Sequence, residues 1–158
     1  MERLVESDSS CAFKAFVNAA FDQAETVCQS TGGHLASIHS DQENTFVSSK
    51  TLLISLSHHF YFTALTHLGI EYKNEKQLTF IGLTKPNYPA NSTWTWSDGT
   101  IVDYLLWAPG KPSDTTGLQN CAQVCYANPD KDSDFRRWND VQCSTSMRAY
   151  VCKQAALH

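Results

Sequence analysis

The chain has 158 residues, of which 42% are hydrophobic and 18% charged, and its formal net charge at pH 7 is −4. This length fits one domain with a substantial core, and the composition argues against a disordered chain. The densest basic cluster is the pair Arg136–Arg137, which is too small for a nucleic-acid surface. No stretch of about 20 apolar residues occurs, so no membrane span is predicted.

The first part of the chain predicts one strand and two helices. Apolar residues alternate over residues 12–17, which is typical of a strand. Asn18 is then the expected N-cap of a helix, and Gly32 marks its end because helices often stop at a residue with positive φ. Ser40 and Glu43 have capping-box spacing, so a second helix should begin there, with the Ser40 hydroxyl accepting from the Glu43 backbone N–H.

The remainder of the chain predicts short strands separated by turns. Residues 80–83 are an apolar strand, and Trp94 and Trp96 are two apart, so both indoles should face one side. Residues 97–100 form a tight turn. Further strands are expected near residues 121–126, 137–140 and 149–153, after a long loop at residues 104–120. Helices followed by strands predict an α+β fold.

Six cysteines indicate an oxidising environment. They are Cys11, Cys28, Cys121, Cys125, Cys143 and Cys152. An even number in a chain of this size favours disulfide bonds. Cys121 and Cys125 lie close together in the sequence, but no second cysteine pair at metal-ligand spacing accompanies them, as a zinc site would need. The triplet that begins at Asn91 is an acceptor for N-glycosylation, which also fits a secreted protein.

A set of short stretches occurs in a fixed order along the chain. The stretches are Ala24-Glu25 with Cys28, Gly32-Gly33-His34-Leu35-Ala36-Ser37-Ile38, Glu43-Asn44, Phe80-Ile81-Gly82-Leu83, Trp96-Ser97-Asp98-Gly99, Trp107-Ala108-Pro109-Gly110-Lys111-Pro112, Trp138-Asn139-Asp140 with Cys143, and Tyr150-Val151-Cys152. As an ordered set, they resemble the C-type lectin-like domain family. The resemblance implies two helices flanking two small antiparallel sheets, with a long loop projecting from the upper sheet. It assigns the four tryptophans mainly to the core.

The resemblance also sets the expected domain bounds. Residues 1–9 are predicted to be an N-terminal tail, residues 10–153 the domain, and residues 154–158 a C-terminal tail. Residues 50–77 look like an insertion relative to typical members of the family.

Two disulfide bonds are implied by the resemblance, namely Cys28–Cys152 and Cys121–Cys143. The remaining cysteines, Cys11 and Cys125, leave two alternatives open. They could pair with each other, or they could be unpaired or differently paired. Cys125 cannot pair with Cys121 on one strand, because four residues at ~3.3 Å each separate them too far for a disulfide.

Members that bind sugar through calcium share a set of ligand positions. They carry Glu-Pro-Asn or Gln-Pro-Asp in the long loop, an acidic residue two positions before the third cysteine, and an Asn-Asp pair after a tryptophan. The matching positions here are Lys111-Pro112-Ser113, Gln119 and Asn139-Asp140. Two carboxylates are therefore missing, although calcium prefers six to eight oxygen ligands that include several carboxylates.

The same comparison disfavours an auxiliary calcium. Asp114 matches an auxiliary calcium position, but its expected partner is Lys85, which has the wrong charge. We therefore expect no calcium at the usual place and no other cofactor. We favour a structural role for Asn139 and Asp140 over metal binding, and the Lys111 ammonium could pair with Asp140 in place of the metal.

The resemblance implies a recognition protein. The sequence contains no catalytic motif such as G-x-S-x-G, so an enzyme is not expected. The leading hypothesis is a secreted module that binds extracellular carbohydrate or protein without calcium. The alternative is a domain that binds only proteins, through the loop at 104–120 or the segment at 50–77. No nucleic acid is expected as a partner.

Overall fold

The structure, a computed structural model, describes residues 2–5, 10–15, 17–49, 79–124 and 136–155. These ranges contain two helices, α1 (Phe21–Ser30) and α2 (Asp41–Ser49). They also contain eight strands: β1 (Glu2–Val5), β2 (Ser10–Ala15), β3 (Gly33–Leu35), β4 (Thr79–Thr84), β5 (Thr95–Trp96), β6 (Gln119–Val124), β7 (Trp138–Gln142) and β8 (Ala149–Ala155). The predicted α+β class is confirmed. Neither described helix is long and apolar enough to cross a membrane.

The strands form one connected sheet, where two separate small sheets were predicted. The order is β1-β2-β8-β4-β6-β7, with β3 also paired to β8 and β5 to β4. Among these described strands the pairs are antiparallel except for β4 with β8, which run parallel over Thr79–Ala149 and Phe80–Tyr150. This short parallel contact joins the two antiparallel halves, which corrects the prediction.

Strand β4 separates two parts of the core. Its side chains alternate, so Phe80 packs with the cluster under α1, whereas Ile81 and Leu83 pack with the cluster that faces the long loop. All three side chains are fully buried. Burying a large apolar side chain contributes roughly 1.5–3 kcal/mol, so this one strand stabilises both halves of the domain.

Helix α1 begins later than predicted, and Asn18 is not its N-cap. Ala19 exchanges two backbone hydrogen bonds with Met147, at 3.0 and 2.9 Å, so it is held in an extended bridge. The helix can therefore start only after Ala20, whose N–H donates to the Gln23 side chain at 3.0 Å. A contact distant in sequence overrides the local capping preference of Asn18.

The capping box predicted at the start of α2 is present in a shifted form. The Glu43 N–H donates to the Ser40 hydroxyl at 3.1 Å, as predicted. The Glu43 carboxylate reaches back to the N–H of His39 at 2.6 Å, one residue before the N–H that it was expected to accept. Its other oxygen accepts from the Lys153 ammonium at 2.7 Å, which attaches α2 to β8.

The predicted tails take part in the sheet. Strand β1 lies within the predicted tail at residues 1–9 and pairs with β2, so the sheet extends beyond the expected boundary at residue 10. Strand β8 similarly continues to Ala155, past the expected boundary at residue 153. The predicted insertion at residues 50–77 lies outside the described residues.

Two disulfide bonds staple the elements together, and they are the pairs that the resemblance implies. Cys28–Cys152 joins α1 to β8, with the Cα atoms 5.3 Å apart. Cys121–Cys143 joins β6 to the turn after β7, with the Cα atoms 5.1 Å apart. Both Cα distances are usual for disulfides. The backbone of Cys11 lies in β2, but its side chain and all of Cys125 are outside the described part, so their pairing stays a prediction.

Gly82 lies where β4 passes against the segment that follows β3, and we expect Gly82→Ala to be costly. An added Cβ would lie 2.4 Å from the Leu35 carbonyl oxygen, and a backbone atom cannot rotate away. The free energy of unfolding, measured with urea, should fall by about 3 kcal/mol or more, the upper end of overpacking costs.

Gly110→Ala is the matched control for this change. Gly110 has φ of 75° with nothing within 4 Å of an added Cβ. The Gly110→Ala substitution should lower the free energy of unfolding by roughly 1–2 kcal/mol, the cost of placing alanine in a left-handed backbone conformation. A Gly82→Ala loss no larger than that of Gly110→Ala would contradict the close approach.

Candidate functional site

The long loop, predicted at residues 104–120, is longer in the structure and connects β5 to β6 over residues 97–118. It first runs as an extended segment over the core. Alternate side chains face the core cluster, and these are Val102, Tyr104 and Leu106. The intervening side chains are exposed, and these are Ile101, Asp103 and Leu105. The period of two is that of a strand, although this segment is not part of the sheet. One side of the loop is thus anchored while the other faces solvent.

Tryptophans anchor the middle of the loop. The Ala108 N–H donates to the Trp138 carbonyl at 2.8 Å, and the Trp138 N–H donates to the Leu106 carbonyl at 2.7 Å. The buried Trp138 indole donates to the Asn44 side chain at 2.7 Å. Trp107 packs edge-on against Trp138, with ring centroids 6.0 Å apart. These contacts place Trp138 in the core, and Trp107 packs against it while remaining partly exposed.

Asp140 on β7 holds the next part of the loop. Its buried carboxylate accepts the backbone N–H groups of Ser113 and Asp114 at 3.0 and 2.6 Å. The Lys111 ammonium lies 3.6 Å from the other carboxylate oxygen and donates to the Ser113 hydroxyl at 2.9 Å. Lys111 is thus the counter-charge of a fully buried anion, which is the arrangement anticipated from the sequence.

Asp114 organises the far side of the loop in the same manner. It has a left-handed φ of 44°, a conformation that Asp tolerates better than most residues. Its carboxylate accepts the Gln119 N–H at 3.0 Å and the Tyr88 hydroxyl, and Lys85 lies 3.7 Å away. The Tyr88 hydrogen bond, then the Gln119 N–H and the Lys85 charge, hold the Asp114 pKa below its usual value. The same hydrogen bond raises the pKa of Tyr88.

Lys85 is unusually buried for a lysine, with 5% of its surface exposed. Its ammonium lies 4.1 Å from the centroid of the Tyr88 ring and 4.9 Å from that of the Trp94 ring. Aromatic faces attract cations at such distances, and Asp114 adds an opposite charge. Two rings and a carboxylate therefore surround this cation, which explains how its burial is tolerated.

Gln119 belongs to the same network, whereas Asn139 does not. The Gln119 amide donates to the Asp140 backbone carbonyl at 3.0 Å and accepts from the Thr115 hydroxyl at 3.1 Å. Asn139 precedes Asp140 on β7, but its buried Oδ1 has no hydrogen-bond partner among the described residues. The structural role that we favoured for the Asn-Asp pair therefore fits Asp140 and is not seen for Asn139.

The sequence-predicted site residues thus come together around two carboxylates. Those that converge are Lys111, Ser113, Asp114, Gln119 and Asp140. Sequence reasoning missed Tyr88, which contacts both Lys85 and Asp114. It also missed His39, which contacts the loop. No motif marked either residue, because each acquires its partners only through the fold.

The two carboxylates of this cluster are each paired with a cation. An ammonium lies within 4 Å of each carboxylate, Lys111 beside Asp140 and Lys85 beside Asp114. Two unit charges 4 Å apart interact by about 4 kcal/mol at an effective dielectric constant of ~20, and a divalent ion doubles the repulsion from each lysine. Within the described ranges, no three His, Cys, Asp or Glu residues form a group that could hold a metal.

The described residues form a disulfide-stapled α+β scaffold that carries one long loop, anchored on its inner side. The family model described as "Lectin C-type domain" matches residues 17–154. The chain therefore belongs to the C-type lectin domain family.

Relatives within the family carry different activities in their names. A type-2 ice-structuring protein of Brachyopsis segaliensis is 30% identical over 147 residues, which cover 93% of this chain and 67% of the relative. A C-type lectin of Cerberus rynchops is 28% identical over 133 residues, which cover 83% of this chain and 68% of the relative. Membership of the family thus does not fix the ligand.

Solved structures agree on the fold. Human lithostathine superposes with a TM-score of 0.70 at 23% identity, covering 98% of this chain and 97% of that chain. The structure described as a calcium-independent type II antifreeze protein has a TM-score of 0.68 at 26% identity, covering 99% of this chain and 98% of that chain.

Removing the charge of Asp140 should destabilise the domain strongly. Asp140→Asn leaves the Lys111 ammonium without its counter-charge and weakens the acceptor for two loop N–H groups. Breaking a buried pair from one side typically costs about 3–5 kcal/mol, and we expect a loss of that size in urea unfolding.

Asp22→Asn is the control, because Asp22 is exposed in the first turn of α1. This substitution should lower the free energy of unfolding by less than about 1 kcal/mol. Lys111→Met should cost less than Asp140→Asn, since Asp140 keeps both backbone donors. An Asp140→Asn protein as stable as the Asp22→Asn protein would refute the role of this carboxylate.

Proposed function

We propose that this domain is an extracellular recognition module that binds a carbohydrate or protein ligand through its long loop without calcium. The observation that carries the proposal is the pair of ammonium groups at the two carboxylates of the loop. Each lysine–aspartate pair has no net charge, so a calcium ion would enter a site that does not attract it. The loop is held by contacts between protein side chains, Lys111 with Asp140 on β7 and Asp114 with Lys85.

Metal-free recognition requires groups that can bind a ligand directly. Lys111 retains 29% exposure of its side chain, and one of its contacts is the Ser113 hydroxyl. An ammonium offers three donors, and one bond to Ser113 together with the longer contact to Asp140 leaves capacity for a sugar hydroxyl or a peptide carbonyl. The structure described as a calcium-independent antifreeze protein supports a metal-free version of this fold.

A domain that binds only proteins and no sugar is the second candidate, favoured by a different observation. Ile101 and Leu105 are 74% and 48% exposed and lie on the same side of the extended loop segment. Large apolar side chains facing water suit a protein surface better than a sugar hydroxyl. If this candidate holds, Ile101→Ser should weaken binding of the protein ligand while Lys111→Met has the smaller effect.

We also propose secretion, and recognition in place of catalysis. Disulfide bonds such as Cys28–Cys152 persist in oxidising compartments. Asn91 is exposed at the start of a glycosylation triplet, and its side chain accepts the Thr93 N–H at 2.9 Å. Recognition in place of catalysis is supported by the lectin C-type family model that matches residues 17–154.

A glycan array probed in millimolar calcium and again with a chelator tests the proposed function. We expect the same glycans to bind in both conditions, and Lys111→Met to lower the signal. Binding that the chelator abolishes would overturn the metal-free proposal. Silence on the array, together with a protein ligand whose binding Ile101→Ser removes, would select the second candidate.

Expression in a secretory eukaryotic cell tests the proposed location and its modification. We expect secreted protein whose mass falls by one N-glycan on treatment with peptide N-glycosidase. Asn91→Gln should abolish this mass change, whereas Thr93→Ser should keep it, because serine also completes the acceptor triplet. An unglycosylated secreted protein would show that Asn91 is not modified.

A further inference from the structure

His39 lies between the start of α2 and the first part of the long loop, and it contacts that loop through both ring nitrogens. Its Nδ1 is 2.7 Å from the Asp103 carboxylate. Its Nε2 is 3.2 Å from the Thr100 hydroxyl oxygen. Which of these contacts is a hydrogen bond depends on where the protons are, and the neighbours of the ring decide this.

The Thr100 hydroxyl has a single hydrogen, which it donates in a hydrogen bond to Asp98. The hydroxyl oxygen lies 2.6 Å from Asp98 Oδ1. Burial alone raises the Asp98 pKa, but hydrogen bonds from Ser37 and Thr100 outweigh it and leave that pKa below its usual value. An ionised carboxylate only accepts, so Thr100 must donate to it. The Thr100 oxygen can then only accept from His39, which requires hydrogen on Nε2.

The other nitrogen also needs a hydrogen. The hydrogen bond from His39 holds the pKa of Asp103 below its usual value, so Asp103 too is an ionised acceptor. Nδ1 must therefore donate. Both ring nitrogens donate only in the imidazolium, whereas the neutral ring carries one N–H and one acceptor nitrogen. Both observed contacts can therefore be hydrogen bonds at the same time only when the His39 ring is charged.

We propose that His39 is a pH-sensitive clasp for residues 98–105 of the long loop. The imidazolium binds Asp103 and Thr100 at once. When the ring releases one proton to solvent, it keeps one hydrogen and must give up one of the two contacts. This inference does not rest on the proposed function, because it concerns the order of the loop and not its ligand.

Other charged groups near the ring belong to α2, β8 and the loop. The Glu43 carboxylate accepts the His39 backbone N–H at 2.6 Å and is paired with Lys153. Asp41 accepts the Tyr104 hydroxyl at 3.4 Å and so adds a second, weaker tie to the same loop segment. Among side chains, histidine is the one whose ordinary charge change falls between about pH 5 and 8, so His39 is the member of the clasp that a change of pH in this range addresses.

The clasp controls how the exposed part of the loop is presented. Ile101 and Leu105 lie on the segment that Thr100 and Asp103 tie to His39. Release of one tie at higher pH frees this segment to move relative to α2. The surface that these side chains form should accordingly be most ordered under mildly acidic conditions.

Hydrogen exchange followed by NMR at about pH 5.5 and about pH 8 tests the clasp. After correction for intrinsic exchange, protection of the amides in residues 100–106 should fall about three- to tenfold at the higher pH, as loss of one hydrogen bond predicts. Amide shifts of Thr100 and Asp103 should titrate with the same midpoint as the His39 ring signals.

Three variants complete the test. His39→Gln should abolish the pH response, and Thr100→Val, which keeps the shape of the side chain, should reduce it. His34→Gln is the matched control, because His34 also pairs with a carboxylate, Glu25, but not with the loop. It should leave the response unchanged. A wild-type loop whose protection is equal at both pH values, or a response that persists in His39→Gln, would overturn the proposal.

Discussion

The order of the long loop depends on one buried carboxylate. Asp140 lies on β7 with no exposed side-chain surface, and a charge in that position needs partners that water cannot supply. The loop provides them as two backbone N–H groups and the ammonium of Lys111. Because each partner lies close to Pro112, satisfying Asp140 fixes the path of the chain there, and Asp114 is thereby placed to meet Lys85.

Much of the fold follows from local patterns, and the exceptions have a common cause. The hydrogen bond from the Glu43 N–H to the Ser40 hydroxyl could be predicted because the two residues are three apart in the sequence. The N-cap at Asn18 was wrong because Ala19 is bridged to Met147, far along the chain. The parallel contact of Thr79 with Ala149 that merges the sheets likewise joins distant strands. Local propensity carries no information on such contacts.

In the candidate site, too, some residues could be predicted from the sequence and others could not. The Lys111–Asp140 pair was anticipated because both residues occupy recognisable positions of a family motif. Tyr88 and the clasp residue His39 were not, since a tyrosine in a loop and a histidine before a helix are ordinary until their partners are known. His39 matters because of its hydrogen-bond partners, and Tyr88 because its ring lies close to the Lys85 ammonium. Both kinds of contact are set by the fold and not by the local sequence.

Strand β8 has a consequence for how the molecule is made. It pairs with β2, β3 and β4, and it carries Cys152, the partner of Cys28. It is also the last described element to leave the ribosome, so during translation the nascent chain exposes the edges of three strands and a free thiol on α1. The sheet can close only after this segment has left the exit tunnel, and until then the apolar surface of the unfinished core is exposed.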